Sequence, residues 1–168
     1  MSEDTLIAPQ ATFPYQAEAE VFIGPKSYYY LEKWPSDPEA KFTNWNWAAF
    51  LLPLSWMLYR KLYAEALALT AILSLLYVGA ELIFGYVPTA GFGVAGGVGG
   101  IYANTWYRNK FLRTMRKSEH LEGEDRLQFL RKKGGTSILS AIVLTPVYIL
   151  LGIAIDIAIF EIAYAIMS

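Results

Sequence analysis

Residues 136–168 read TSILSAIVLTPVYILLGIAIDIAIFEIAYAIMS and hold only two charges, Asp156 and Glu161. Within them, Ile138 to Ile155 is an uncharged run of 18 residues. A run of about 18 or more uncharged, mostly apolar residues is what a helix needs to sit in hydrocarbon. Working outward, a second long apolar stretch, Leu62 to Tyr107, carries only Glu65 and Glu81. The chain therefore reads as an all-α integral membrane protein.

The 168 residues suffice for one domain, and only 17% are charged, below the roughly 25% of soluble domains. A net charge of −1 argues against a nucleic-acid partner. There is no cysteine and a single histidine, His120, which excludes thiol chemistry and His- or Cys-rich metal sites; no cofactor is expected. The opening MSEDTLIAPQATFPYQAEAE lacks a basic start and an apolar centre. It reads as no cleavable signal peptide, so the membrane helices themselves are expected to direct insertion.

Residues 1–41 form a polar N-terminal arm containing Pro9, Pro14, Pro25, Pro35 and Pro38 among aromatics. That proline density prevents long helices, and the reading is an extended arm with one short helix near Pro25–Lys33. Residues 42–168 make the membrane domain. Its first element, 45–59, is WNWAAFLLPLSWMLY. Fifteen helical residues rise about 22 Å, short of a hydrocarbon core about 30 Å thick, and Pro53 interrupts them. This predicts a half-inserted or strongly tilted helix with Trp45, Trp47, Trp56 and Tyr59 at the membrane boundary. Residues 62–86 predict a full span that Pro88 ends, and 88–107 a second, glycine-rich span. A basic loop over 108–135 follows, then a long last helix over 136–168. Three transmembrane helices plus the short one result.

Residues 108–133 hold nine bases and four acids, whereas 1–41 hold three bases and seven acids. Positive loops stay inside, so this loop and Arg60-Lys61 are expected on the cytoplasmic side, with the N-terminal arm, and Ser168 on the far side. The localisation predicted is a multi-pass protein of the bacterial cytoplasmic (inner) membrane.

Three groups of residues are candidate sites. Arg60, Lys61, Arg108, Lys110 and Arg113, with Arg116 and Lys117 close by, have the composition of an anionic lipid headgroup site beside a span. Gly93/Gly97 and Gly96/Gly100 are four apart and predict a helix-packing face. Glu81 and Asp156 lie 19 and 20 residues into their helices, at matched depth near the far interface. Together they are a candidate cation or proton site. Glu65, four residues after Lys61, is expected to pair with it. The GxGxxG of Gly91 to Gly96 follows no strand and is read as packing, not nucleotide binding.

Phe22-Ile23-Gly24-Pro25, Tyr28-Tyr29-Tyr30, Trp45-Asn46-Trp47-Ala48-Ala49-Phe50 and Trp56-Met57-Leu58-Tyr59-Arg60-Lys61-Leu62-Tyr63 resemble the bacterial domain-of-unknown-function family 2628. Asn104-Thr105-Trp106-Tyr107 is similar to that family's later Asn–aromatic segment. The resemblance spans roughly residues 20–117 and implies small multi-pass membrane proteins with no established activity and no catalytic residue. Two functions remain open: a non-enzymatic structural or accessory subunit of a larger membrane complex, or a small oligomeric channel or transporter using Glu81 and Asp156. The partners expected are membrane lipids and other protein subunits or further copies of the chain.

Overall fold

A computed structural model describes residues 13–85 and 91–167. The described residues form eight helices and no strand: α1 Gln16–Ile23, α2 Ser27–Leu31, α3 Trp47–Leu51, α4 Pro53–Tyr59, α5 Tyr63–Phe84, α6 Gly91–Lys117, α7 Gly123–Lys133 and α8 Ile138–Met167. The arm's first twelve residues, Pro88 and Ser168 lie outside the described residues.

Two helices are long and apolar enough to cross a membrane, Tyr63–Phe84 and Ile138–Ile166. Their apolar windows are only 11% and 0% buried within the chain, in contrast to the mostly buried core helix of a water-soluble protein. They pack side by side and run parallel. At one end Tyr63 Oη and Ser140 Oγ are 2.8 Å apart; eleven residues along, Ser74 Oγ donates to Gly152 O at 3.4 Å. Ser137 caps α8 by accepting from Ser140 N–H at 3.1 Å.

The third predicted span is not among these two helices, and its bounds differ from those expected. A glycine-rich crossing over 88–107 followed by a loop was expected. Instead α6 is one helix of 27 residues that runs from Gly91 through the bases to Lys117. Charge marks where hydropathy falls, not where a helix stops. Only after Lys117 does the chain turn, reaching α7 at Gly123, whose φ of 53° suits glycine.

The short element over 45–59 is two helices, not one. Pro53 disfavours helical geometry at the residue before it, and Leu52 leaves the helix at φ −137°, ψ 63°. Pro53 then opens α4 as its first residue, where a missing N–H costs nothing. The two helices form a hairpin. Gly96 and Gly99 of α6 meet the backbone of Phe50 and Ala49 in α3, and α4 returns until Lys110 Nζ donates to Arg60 O at 2.8 Å. Leu51-Leu52 lies exposed at the tip of the hairpin.

The non-helical approach to the hairpin is hydrogen-bonded to α6 along its length. Arg108 donates to Ala40 O (2.7 Å), Thr105 to Phe42 O (2.7 Å), and Asn46 N–H to Gly100 O (2.8 Å). Asn46 Oδ1 caps α3 through Ala49 N–H while its amide donates to buried Asn104 at 2.9 Å. Irregular backbone can lie at depth only when its polar groups are satisfied in this way.

Residues 13–41 are not an extended arm. Their prolines fall at the breaks around α1 and α2, and their aromatics pack on the basic end of α6. Phe22, Tyr30 and Trp34 are buried with Tyr107 and Phe111, with ring centroids 4.9 to 6.2 Å apart. Trp56 joins this core instead of marking a boundary. α7 closes it against α1, where Gly135 N–H donates to Phe22 O at 2.6 Å.

Candidate headgroup site

The base of α5, the end of α6 and the end of α7 converge on a pocket of about 480 Å³. Five cations line it, Lys61, Lys110, Arg113, Lys117 and Lys133, with Glu65 the one acid among its lining residues. Lys110, Arg113 and Lys117 share one face of α6 by helical spacing. Lys61 is held at φ 58°, an uncommon conformation for a side-chain-bearing residue. Lys110 Nζ fixes that turn, accepted by the carbonyls of Arg60 (2.8 Å) and Lys61 (3.1 Å).

Burial, and next the neighbouring charge of Lys61, push Lys110 down to about 8; Glu65 opposes this only in part. Glu65 pairs with Arg113, not with Lys61 as the i, i+4 spacing suggested. Lys61 instead donates to Lys132 O at 3.4 Å. The pocket therefore keeps a surplus of positive charge that a phosphate-bearing headgroup would offset.

The other sequence candidates separate from this site. Arg108 turns to the opposite side, over the Phe42 ring at 4.6 Å. Arg60 is 3% exposed and lies within a cage of tyrosines, 4.6 Å from the Tyr30 ring and 4.9 Å from Tyr107. Lys117 extends the helical pattern of Lys110 and Arg113 and was legible in it. Lys133 comes from another helix, and no local pattern points to it.

On the glycine face, Gly96 and Gly100 pack on α3 as expected, joined by Gly99, whose added Cβ would stand 2.7 Å from Ala49 O. Gly93 and Gly97 have nothing within 4 Å of an added Cβ and take no part. At the other end of α5 and α8, the Ser74–Gly152 level puts Glu81 three residues beyond Asp156, about 4.5 Å further along the axis. Asp156 Oδ1 is buried without a hydrogen-bond partner among the described residues.

A family model described as a protein of unknown function (DUF2628) matches residues 25–113, more than half of the chain. The chain belongs to the DUF2628 family. No curated protein and no solved structure matches it. The DUF2628 segment covers the α3–α4 hairpin, α5 and most of α6. It includes Lys61, Lys110 and Arg113 of the pocket, whereas Lys117 and Lys133 lie beyond it.

Proposed function

We propose that this chain is a non-enzymatic, multi-pass protein of the bacterial cytoplasmic membrane. In this reading it is an accessory subunit that grips an anionic lipid headgroup at its basic end. The observation that supports this is the convergence of Lys61, Lys110, Arg113, Lys117 and Lys133 around one pocket at the base of an apolar, exposed helix. Because α5 and α8 run parallel, a chain that crosses with both must return between them. α6, about 40 Å long, takes the opposite direction and is the returning element. Gly96, Gly99 and Gly100 are covered by α3, so the hairpin replaces lipid on that face. The surplus of bases supports a cytoplasmic position for the aromatic headpiece.

Native mass spectrometry of protein released from mixed-lipid membranes tests this reading. Retention of anionic phosphatidylglycerol over zwitterionic phosphatidylethanolamine is expected, with about a tenfold loss in a Lys110→Gln/Lys117→Gln variant. Equal retention of the two lipids would overturn it. Gentle extraction from native membranes should recover a reproducible heterologous partner, as an accessory subunit requires.

One observation favours a second reading, a small oligomeric cation or proton pathway: the unpartnered Asp156 Oδ1 with Glu81 one turn further out. Asp156→Asn and Glu81→Gln should then each abolish flux in proteoliposomes. Wild-type flux no greater than that of protein-free vesicles would end this reading.

A further inference from the structure

A second hollow, of about 610 Å³, shares no lining residue with the headgroup pocket. It lies between the α1–α2 turn, the end of α4 and the α7–α8 junction. Lys26, Arg60 and Arg131 bring three positive charges to it, against the single carboxylate of Glu20. That carboxylate is engaged elsewhere, accepting from Gln16 Nε2 at 3.0 Å.

Arg60 is the decisive member. Its guanidinium is buried, and among the described residues no carboxylate comes within 4.0 Å of it. Two tyrosine rings stabilise its charge through their faces. In-plane donors are a separate requirement, because a guanidinium carries five N–H groups. One long bond to Tyr107 Oη, 3.4 Å, and a weaker interaction with the Tyr30 hydroxyl use part of that capacity, and Nε has no partner. A buried, unsatisfied donor is costly unless something accepts from it. Lys26 has no ion pair among the described residues, and Arg131 reaches Glu124 only at 3.9 Å.

The walls leave room for a ligand. Gly24 (φ 84°) and Gly135 (φ 68°) bend the chain on either side of the hollow, and a Cβ on either would meet nothing within 4 Å. Thr136 adds a hydroxyl at the rim.

We infer that this hollow binds a phosphoryl anion, held at its base by Arg60 and at its rim by Lys26 and Arg131. The anion is carried either by a soluble phosphate compound or by a lipid phosphate monoester. Arginine's planar fork matches phosphate oxygens two at a time, and the tyrosine cage fixes that fork before the ligand arrives.

The test uses the full chain in nanodiscs of phosphatidylcholine. In one arm inorganic pyrophosphate is titrated calorimetrically; in the other, phosphatidic acid is added to the nanodisc and binding is read by tryptophan fluorescence. Saturable binding in either arm is expected, and the responding arm identifies the source. Lys26→Gln/Arg131→Gln alters only exposed side chains and should weaken that binding about tenfold or more. The lipid arm is read in a Lys117→Gln/Lys133→Gln background, which weakens the headgroup pocket without removing the Lys110 bond to the Arg60 carbonyl; in the pyrophosphate arm that variant should leave binding unchanged, which separates the two sites. The inference is overturned by no saturable binding in both arms, by binding indifferent to Lys26→Gln/Arg131→Gln, or by pyrophosphate binding lost with Lys117→Gln/Lys133→Gln.

Discussion

Gly134 shows how single atoms decide this fold. A Cβ there would stand 1.9 Å from Phe22 O, the carbonyl that accepts from Gly135 N–H, so α1 and α7 meet backbone to backbone. Gly134→Ala is expected to lower stability by about 3 kcal/mol, read as a fall in unfolding temperature in detergent. Gly97→Ala, with open space around it, should stay within about 0.5 kcal/mol of wild type. Lys110 gives the second residue-scale prediction. Its value near 8 lies below that of an unfolded lysine, about 10.4, so its charge is disfavoured until an anion arrives. Headgroup binding should therefore take up a proton above pH 8, with affinity falling by up to about tenfold per unit. The sign for folding is opposite: without an anion, stability rises as pH climbs from about 8 toward 10.4, where the unfolded state holds the extra proton. Affinity that rises above pH 8 in a titration of lipid retention would contradict this assignment. The cluster was legible because Lys110, Arg113 and Lys117 repeat on one helical face. The cage around Arg60 was not, because Tyr30 and Tyr107 reach it from distant parts of the chain.

At the scale of elements, length and proline placement were read with more success than direction. Fifteen apolar residues with a central proline are too few to cross, and in the structure they fold back on themselves as a hairpin. What the sequence left open was that Leu52-Pro53 reverses the chain instead of kinking one helix, and which glycines face α3. A spacing of four fits both Gly93/Gly97 and Gly96/Gly100, and only packing selects Gly96, Gly99 and Gly100. Gly96→Leu should therefore drive α3 from α6 and reduce the monodisperse fraction on size-exclusion chromatography, whereas Gly97→Leu should not. Equal profiles for the two would place the hairpin elsewhere. The charged end of α6 was read as loop because hydropathy falls there, although nothing in Arg108 to Lys117 breaks a helix. The prolines of residues 13–41 correctly marked interruptions, while the packing of the intervening aromatics on α6 is tertiary and had no local signature.

For the whole molecule, the account rests on two exposed apolar helices leaving a basic, aromatic-cored headpiece in the same direction, with α6 returning between them. Hydropathy found both helices; their parallel register came only from the Tyr63–Ser140 and Ser74–Gly152 contacts. In the proposed reading the headpiece and the end of α8 face opposite compartments. The native chain has no cysteine, so single cysteines report sidedness directly. Glu122→Cys, in the turn before α7, and Glu161→Cys, exposed near the end of α8, are treated in intact cells with a membrane-impermeant maleimide. The account predicts labelling of Glu161→Cys alone, with Glu122→Cys reacting only after the membrane is opened. Labelling of Glu122→Cys in intact cells, or equal reactivity of the two positions, would contradict it.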